Sequence, residues 1–103
     1  MTEIVRSDDC NINQCALSEG VAQLKSRWLG GIVLSLYESE KRFGALEDNF
    51  PLMTAGQLNR TLVQAMGHNI IAKVDGCYTL TEKGLAAAQL YLAVETWIAR
   101  FGG

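Results

Sequence analysis

The sequence predicts a mainly α-helical domain that contains one small β-hairpin. The hairpin is indicated by Asp75-Gly76, which stands between two short β-prone runs, residues 70–74 and 77–80. Asp-Gly in this position is typical of a two-residue turn, because both of its central residues need a positive φ. Helical patterns directly precede and follow the hairpin. Helix, tight hairpin and helix in this order is the layout of a winged helix-turn-helix, here with a shortened wing.

Length and composition place the chain among single-domain globular proteins. It has 103 residues, 49% of them hydrophobic, and a formal net charge of -2. No apolar run approaches the length of about 20 residues that crosses a membrane, and residues 1–9 do not form a signal peptide. We therefore expect a cytoplasmic protein with no membrane contact. The three cysteines form an odd count without paired spacing, which argues against a disulfide framework and against a metal site.

The N-terminal segment divides into an arm and a helix. Residues 1–14 lack periodicity, so we expect a flexible arm, followed by the winged-helix domain over residues 15–103. Ser18 is predicted to cap the first helix, with Val21 and Leu24 on its inner side.

The second and third helices are predicted from apolar spacing. The second carries a buried stripe of Trp28, Ile32, Val33 and Leu36. Ser39 is expected to begin a third, short helix whose inward residues are Phe43, Leu46 and Phe50. Pro51 ends it, because the residue before a proline resists helical geometry.

The fourth helix has the clearest boundaries. Thr54 and Gln57 form the pattern of a capping box, Thr-x-x-Gln. Asn69 stands where the helix should stop, and asparagine tolerates the left-handed conformation found there. The expected inner face is Leu58, Leu62, Ala65 and Met66, and the expected outer face is Gly56, Asn59, Arg60, Val63 and Gln64.

The last helix is expected over about residues 82–101, with Thr81 as its N-cap and Glu82 in its first turn. Its apolar residues recur at steps of three and four, and they are more numerous than one small domain can cover. A second subunit is therefore the expected partner, and this helix is the expected dimerisation element. The residues that we assign to the interface are Tyr91, Val94, Trp97 and Ile98.

The outer face of the fourth helix is the first candidate for function. Asn, Gln and Arg side chains make bidentate contacts to adenine and guanine in the major groove, and a short turn after Pro51 leads into this helix as in a helix-turn-helix. An ordinary solvated helix face is the alternative interpretation, but the hairpin that follows favours DNA. The candidate DNA-binding residues are Arg42, Thr54, Gln57, Asn59, Arg60, Gln64 and Lys73. No hydrolase, metalloprotease or nucleotide-binding motif is present, so we expect neither an enzyme nor a cofactor.

Several short segments resemble one protein family in order and spacing. They are Cys15 with Trp28, Lys41-Arg42-Phe43 with Leu46, Thr54 with Leu58 and Leu62, the strand-to-helix junction YTLTEKG over residues 78–84, and Trp97. Together they resemble the HxlR-type winged-helix transcriptional regulators of bacteria and archaea, which are relatives of the MarR group. The chain departs from that pattern at Ala16, at Asn69 and in the short turn at residues 74–77.

The resemblance implies a homodimer built by the N- and C-terminal helices, with two recognition helices on a palindromic operator in double-stranded DNA. It also implies a response to a redox or small-molecule signal, with Cys15 as the residue that senses an oxidant. The acidic balance and the short wing leave an alternative open, a winged-helix module that dimerises or binds another protein and binds DNA weakly or not at all.

Overall fold

The computed structural model describes residues 12–102, which form five helices and one two-stranded antiparallel sheet. In chain order these are α1 (Ile12–Leu24), α2 (Leu29–Glu38), α3 (Phe43–Asn49), α4 (Ala55–Gly67), β1 (Ile71–Val74), β2 (Cys77–Leu80) and α5 (Glu82–Phe101). This order confirms the predicted winged helix-turn-helix. Within the described range, no helix has both the length and the apolarity needed to cross a bilayer.

The hydrophobic core surrounds α2, which packs against α3, β2 and α5. Ile32 and Val33 are fully buried, as the stripe in the sequence predicted. The core is completed by Leu29, Leu36, Leu46, Leu58, Leu62, Ala65, Ile70, Ile71, Tyr78 and Ala88. These residues come from α2, α3, α4, the hairpin and α5, so one core fixes α4 and the hairpin relative to each other.

The start of α1 differs from the expectation. The helix already includes Ile12, so Ser18 lies inside it and is not its N-cap. Val21 is 53% exposed, which contradicts its predicted inward position, whereas Leu24 does pack against the core. The expected flexible arm falls mostly on residues 1–11, outside the described residues, and residues 12–14 belong to α1.

The start of α3 also differs from the expectation. Ser39 is the C-cap of α2, and α3 begins at Phe43 after Arg42 as its N-cap. The reason is a backbone bridge between Lys41 and Tyr78 of β2. The Lys41 amide donates to the Tyr78 carbonyl at 3.1 Å, and the Tyr78 amide donates to the Lys41 carbonyl at 2.7 Å. Lys41 therefore adds a third strand, one residue long, to the edge of the sheet next to β2.

The hairpin and its flanking helix ends follow the sequence prediction. Asp75 and Gly76 have φ values of 53° and 81°, and Asn69 ends the α4 region at φ 63°. Ile71 pairs with Leu80, and Val74 pairs with Cys77, which fixes the register. The Thr81 hydroxyl accepts a hydrogen bond from the Gly84 amide at 3.0 Å and caps α5. Local turn and cap chemistry thus sets the whole wing-to-helix junction.

Candidate nucleic-acid interface

The N-terminus of α4 is held by the predicted capping box. The Gln57 amide donates to Thr54 Oγ1 at 3.0 Å, and the Thr54 amide donates to Gln57 Oε1 at 2.9 Å. In both side chains the cap uses an acceptor atom. Within the described residues, the Thr54 hydroxyl hydrogen and the Gln57 amide hydrogens have no protein acceptor. They are donors, which is what phosphate oxygens and base acceptors require.

The face of α4 that points away from the core matches the predicted outer face. Gly56, Asn59, Arg60, Val63 and Gln64 are all exposed. Leu58, Thr61, Leu62 and Ala65 are buried on the opposite side. The Thr61 hydroxyl donates to the Gln57 carbonyl at 2.9 Å, so this buried polar group is satisfied within the helix. The outward face of this core-anchored helix therefore presents three polar side chains together with Gly56 and Val63.

Gln64 occupies a different setting from Asn59 and Arg60. It lines a cleft of about 330 Å³ between α4 and the end of α1, together with Lys25, Ser26 and His68. The C-termini of α1 and α4 lie near this cleft, and cationic side chains are favourable at such helix ends. Lys83 supplies one of them, because its Nζ donates to the His68 carbonyl at 2.8 Å and to Gln23 Oε1 at 2.7 Å.

Arg42 lies against the turn of the wing. A methyl group in place of the Gly76 hydrogen would lie 2.5 Å from Arg42 Nη1, so the guanidinium rests directly on the turn. Lys73 lies across the hairpin from Tyr78, with its Nζ 5.3 Å from the centre of the tyrosine ring. Both cations are exposed. The short wing thus has a positive flank made of Arg42 and Lys73, although its tip residue is Asp75.

Lys41 is a residue whose role the sequence did not reveal. Its Nζ donates to the Ser35 carbonyl at 2.7 Å and lies 3.1 Å from Ser39 Oγ. It therefore satisfies backbone acceptors at the C-terminal end of α2. The neighbouring residue, Arg42, is then directed to the wing. A one-residue bridge leaves no periodic signal, so no pattern in the sequence could have separated the roles of the two basic residues.

The cysteines differ in state. Cys15 is disulfide-bonded, so the argument from an odd count against a disulfide was wrong for this residue. Counting and spacing carry no information about which chain segments come close in space. Cys77 is a free, half-buried thiol in β2. Within the described residues, no group of three or more His, Cys, Asp or Glu side chains is placed to hold a metal ion.

An apolar groove of about 480 Å³ lies between α1 and α5. Leu17, Val21, Leu90, Val94 and Trp97 line it, and each of these five side chains is between 53% and 67% exposed. Contiguous apolar exposure of this kind marks an interaction surface. Val94 and Trp97 were assigned to the dimer interface from the sequence, whereas Val21 was expected to face inward.

Tyr91, which we also assigned to the interface, is engaged within its own protomer. Its hydroxyl donates to the Leu24 carbonyl at 2.9 Å. Its ring covers Gly30, where a methyl group would lie only 3.1 Å from the ring carbons. Burial raises the pKa of the Tyr91 hydroxyl above its ordinary value of 10.0, so it remains a donor at neutral pH. The contact ties α5 to α1 and α2 and so shapes the groove.

Comparison with known proteins places the chain in a family. The family model described as HxlR-like helix-turn-helix matches residues 23–103. The HTH-type transcriptional regulator YodB of Bacillus subtilis strain 168 is 28% identical over 85 residues, which cover 76% of each protein. The structure of quinone-bound YodB from B. subtilis has a TM-score of 0.79 at 26% identity and covers 84% of this chain and 99% of that chain.

A more distant structure supports the same architecture. A MarR-family transcriptional regulator from Enterococcus faecalis V583 has a TM-score of 0.81 at 17% identity and covers 94% of both chains. At this identity the match speaks for the fold alone. The family match spans most of the chain, including α4, the hairpin and α5. The chain belongs to the HxlR-like helix-turn-helix family.

Proposed function

We propose that this chain, a DNA-binding transcriptional regulator, binds a palindromic operator as a homodimer that inserts the two copies of α4 into successive major grooves. The observation that carries the proposal is the build of α4. A capping box holds its N-terminus and leaves hydrogen-bond donors unused, and its exposed face carries Asn59, Arg60 and Gln64. Recognition helices enter the major groove by their N-terminal turns, which here carry Thr54, Gln57, Asn59 and Arg60.

The side chains divide by chemistry into base readers and backbone contacts. Arg60 is the main base reader, because a guanidinium donates two parallel hydrogen bonds to guanine O6 and N7. Asn59 and Gln64 have the amide groups that pair with adenine. Thr54 lies at a helix N-terminus, where backbone amides and the helix dipole favour a phosphate. Arg42 and Lys73, on the flank of the wing, are assigned to the phosphate backbone.

The homodimer is required by the way such helices read DNA. One recognition helix covers only a few base pairs, and two related helices bind half-sites about 34 Å apart, one turn of DNA. The apolar groove between α1 and α5 is the surface we assign to the partner protomer. Because operator DNA is the ligand, we place the protein in the cytoplasm of a bacterial cell, and the regulators to which it is related give no reason to assign it an enzymatic activity.

Arg60→Ala tests the assignment of the recognition helix. We expect operator affinity to fall at least about 30-fold, because a guanidinium–guanine pair contributes about 1–3 kcal/mol and the dimer has two of them. The variant should remain folded and dimeric, since Arg60 is exposed. Mobility-shift titration at about 0.1 M salt measures the affinity. Arg100→Ala, which removes the same charge at the far end of α5, is the matched control and should bind like wild type.

A salt series in the same experiment separates the two kinds of contact. Arg60→Ala should lower affinity at every salt concentration. Arg42→Ala should instead flatten the plot of log affinity against log salt by about two units per dimer, one for each phosphate contact. Unchanged affinity of Arg60→Ala would remove α4 as the reading helix. Wild-type binding with no salt dependence would favour the protein-interaction module.

We extend the proposal to a redox response at Cys15. The cytoplasm keeps most thiols reduced, so a disulfide in such a protein is more often a redox sensor than a structural link. YodB, to which the chain is similar, has been solved with a quinone bound, and quinones are oxidants and electrophiles. Cys15 lies in α1, next to the groove that we assign to the dimer.

Dithiothreitol is therefore expected to change operator affinity of the wild-type protein several-fold, because it converts the disulfide to two thiols near the dimer surface. Cys15→Ser should bind with one affinity, whatever the redox state. Cys77→Ser is the control, since this half-buried thiol lies in β2 and should leave the response intact. Equal affinity of the oxidised and reduced wild-type protein would exclude redox control.

A further inference from the structure

Gly56 and Val63 both belong to the outward-facing ridge of α4. Successive helical residues are rotated by about 100°, so residues seven apart lie within about 20° of the same direction. Leu58, Thr61, Leu62 and Ala65 define the buried side. Gly56, Arg60, Val63 and Gly67 all point within about 30° of directly away from it, and Asn59 and Arg60 lie on either side of the line that joins Gly56 to Val63. The ridge of α4 that meets a groove first therefore includes both Gly56 and Val63.

Gly56 has no explanation within the protomer. A methyl group at this position would find a single neighbour, Thr54 Oγ1, at 3.9 Å, which is an ordinary contact distance. Its backbone conformation lies outside the region that favours glycine. A glycine inside a helix destabilises it relative to alanine, so its presence here is unfavourable for the free protein. A glycine at this outward position would allow the helix backbone to approach a surface outside the chain closely.

Val63 is the exposed apolar residue at the centre of an otherwise polar face. It is 53% exposed, and it stands one turn from both Asn59 and Arg60. β-Branched residues are also weak helix formers, so neither folding nor solubility favours valine here. On the edges of the bases in the major groove, the apolar group is the C5-methyl of thymine, and aliphatic side chains contact it there.

We propose that Gly56 and Val63 form the ridge of α4 that is seated deepest in the major groove, where Val63 reads a thymine methyl group in each half-site. Gly56 allows the first turn to approach the base edges, and this approach brings Val63, two turns later, within contact of a methyl group. Arg60 then reads the neighbouring guanine from one side of the ridge. This inference rests on the proposed function, since it assumes that α4 is the reading helix.

Removal of single methyl groups from the DNA tests the contact of Val63. The operator is first recovered from a random pool of double-stranded DNA with the wild-type dimer, and each thymine is then replaced by uracil, which lacks only the methyl. We expect one position per half-site where uracil lowers wild-type affinity about fourfold, as expected for one buried methyl group. For Val63→Ala, the same replacement should have less than a twofold effect.

Gly56→Ala tests the close approach of the backbone. We expect a melting temperature equal to or above that of wild type, together with at least a tenfold loss of operator affinity. Gly67→Ala is the matched control. Gly67 lies on the same face of α4, about 16 Å further along the helix axis, and a methyl group there also meets open space. Its affinity should be within twofold of wild type.

The outcomes separate this inference from the proposed function. The proposed ridge is wrong if wild type and Val63→Ala respond equally to every uracil, or if Gly56→Ala binds like wild type. In either case, a loss of operator affinity in Arg60→Ala would still support α4 as the reading helix. If Gly56→Ala and Gly67→Ala lose affinity equally, insertion by the first turns is wrong. If the wild-type dimer selects no DNA from the pool, the proposed function and the ridge both fail.

Discussion

Replacing Gly84 by alanine is expected to destabilise the fold by at least about 3 kcal/mol, the upper part of the range for overpacked sites. A Cβ at this buried position would lie 2.1 Å from the Ile70 carbonyl oxygen. That oxygen accepts a hydrogen bond from the Thr81 amide at 3.1 Å, and the Thr81 hydroxyl is also 3.1 Å away. The carbonyl cannot turn aside without losing these bonds, so α5 must move away from the hairpin.

Thermal unfolding followed by circular dichroism measures the effect. For a domain of this length, a loss of about 3 kcal/mol lowers the melting temperature by more than about 12 °C. Gly44→Ala is the matched control, because Gly44 also lies in the first turn of a helix and a methyl group there meets open space. It should be neutral or slightly stabilising, as alanine is the better helix former. A Gly84→Ala protein that melts like wild type would disprove the described packing of α5 on the hairpin.

The same junction shows what the sequence predicts well. The turn at Asp75-Gly76, the left-handed Asn69, the capping box of α4 and the cap at Thr81 all depend on residues within a few positions of each other. Their chemistry is local, so these features can be predicted from the sequence without a structure. Gly84 is different. Glycine is required there because the Ile70 carbonyl leaves no room for a side chain, and the hairpin between the two residues brings this carbonyl close.

The candidate site divides in the same way. The outward face of α4 follows from the helical period, and the sequence predicted each of its members. The placement of Arg42 on the turn at Gly76 depends on the bridge between Lys41 and Tyr78, and Gln64 shares its cleft with the end of α1. Such contacts join distant parts of the chain, so spacing alone does not predict them.

The surface between α1 and α5 explains the error at Val21. An apolar stripe on a helix indicates that it is covered, and it does not say whether the cover comes from the same chain or from another one. Val21 was expected in the core, yet it is exposed beside Val94 and Trp97 in the groove. The stripe of α1 is therefore consistent with an interface, and a substitution at the centre of the groove is the direct test.

Val94→Asp is expected to convert the homodimer to a folded monomer and to lower operator affinity more than 100-fold. Val94 is 54% exposed in the protomer, so its replacement should leave the core intact. In a twofold-symmetric dimer the same substitution occurs on both sides, and a buried, unpaired carboxylate is strongly unfavourable. A monomer engages one half-site at a time and loses the gain of about 10²–10⁴ in affinity that linked binding provides.

Leu85→Asp is the matched control for Val94→Asp, because it introduces the same charge on the same helix at a residue that is 48% exposed. Nine residues along α5 correspond to half a turn of rotation, so Leu85 points away from the side that carries Val94. Sedimentation velocity should find a dimer for Leu85→Asp and a monomer for Val94→Asp, and circular dichroism should show that both variants are folded. If Val94→Asp remained a dimer with wild-type operator affinity, the two protomers would have to meet on another surface, and the groove would lose its assigned partner. If it became monomeric but bound the operator normally, the palindrome would be read without dimerisation, and the need for two linked recognition helices would be wrong.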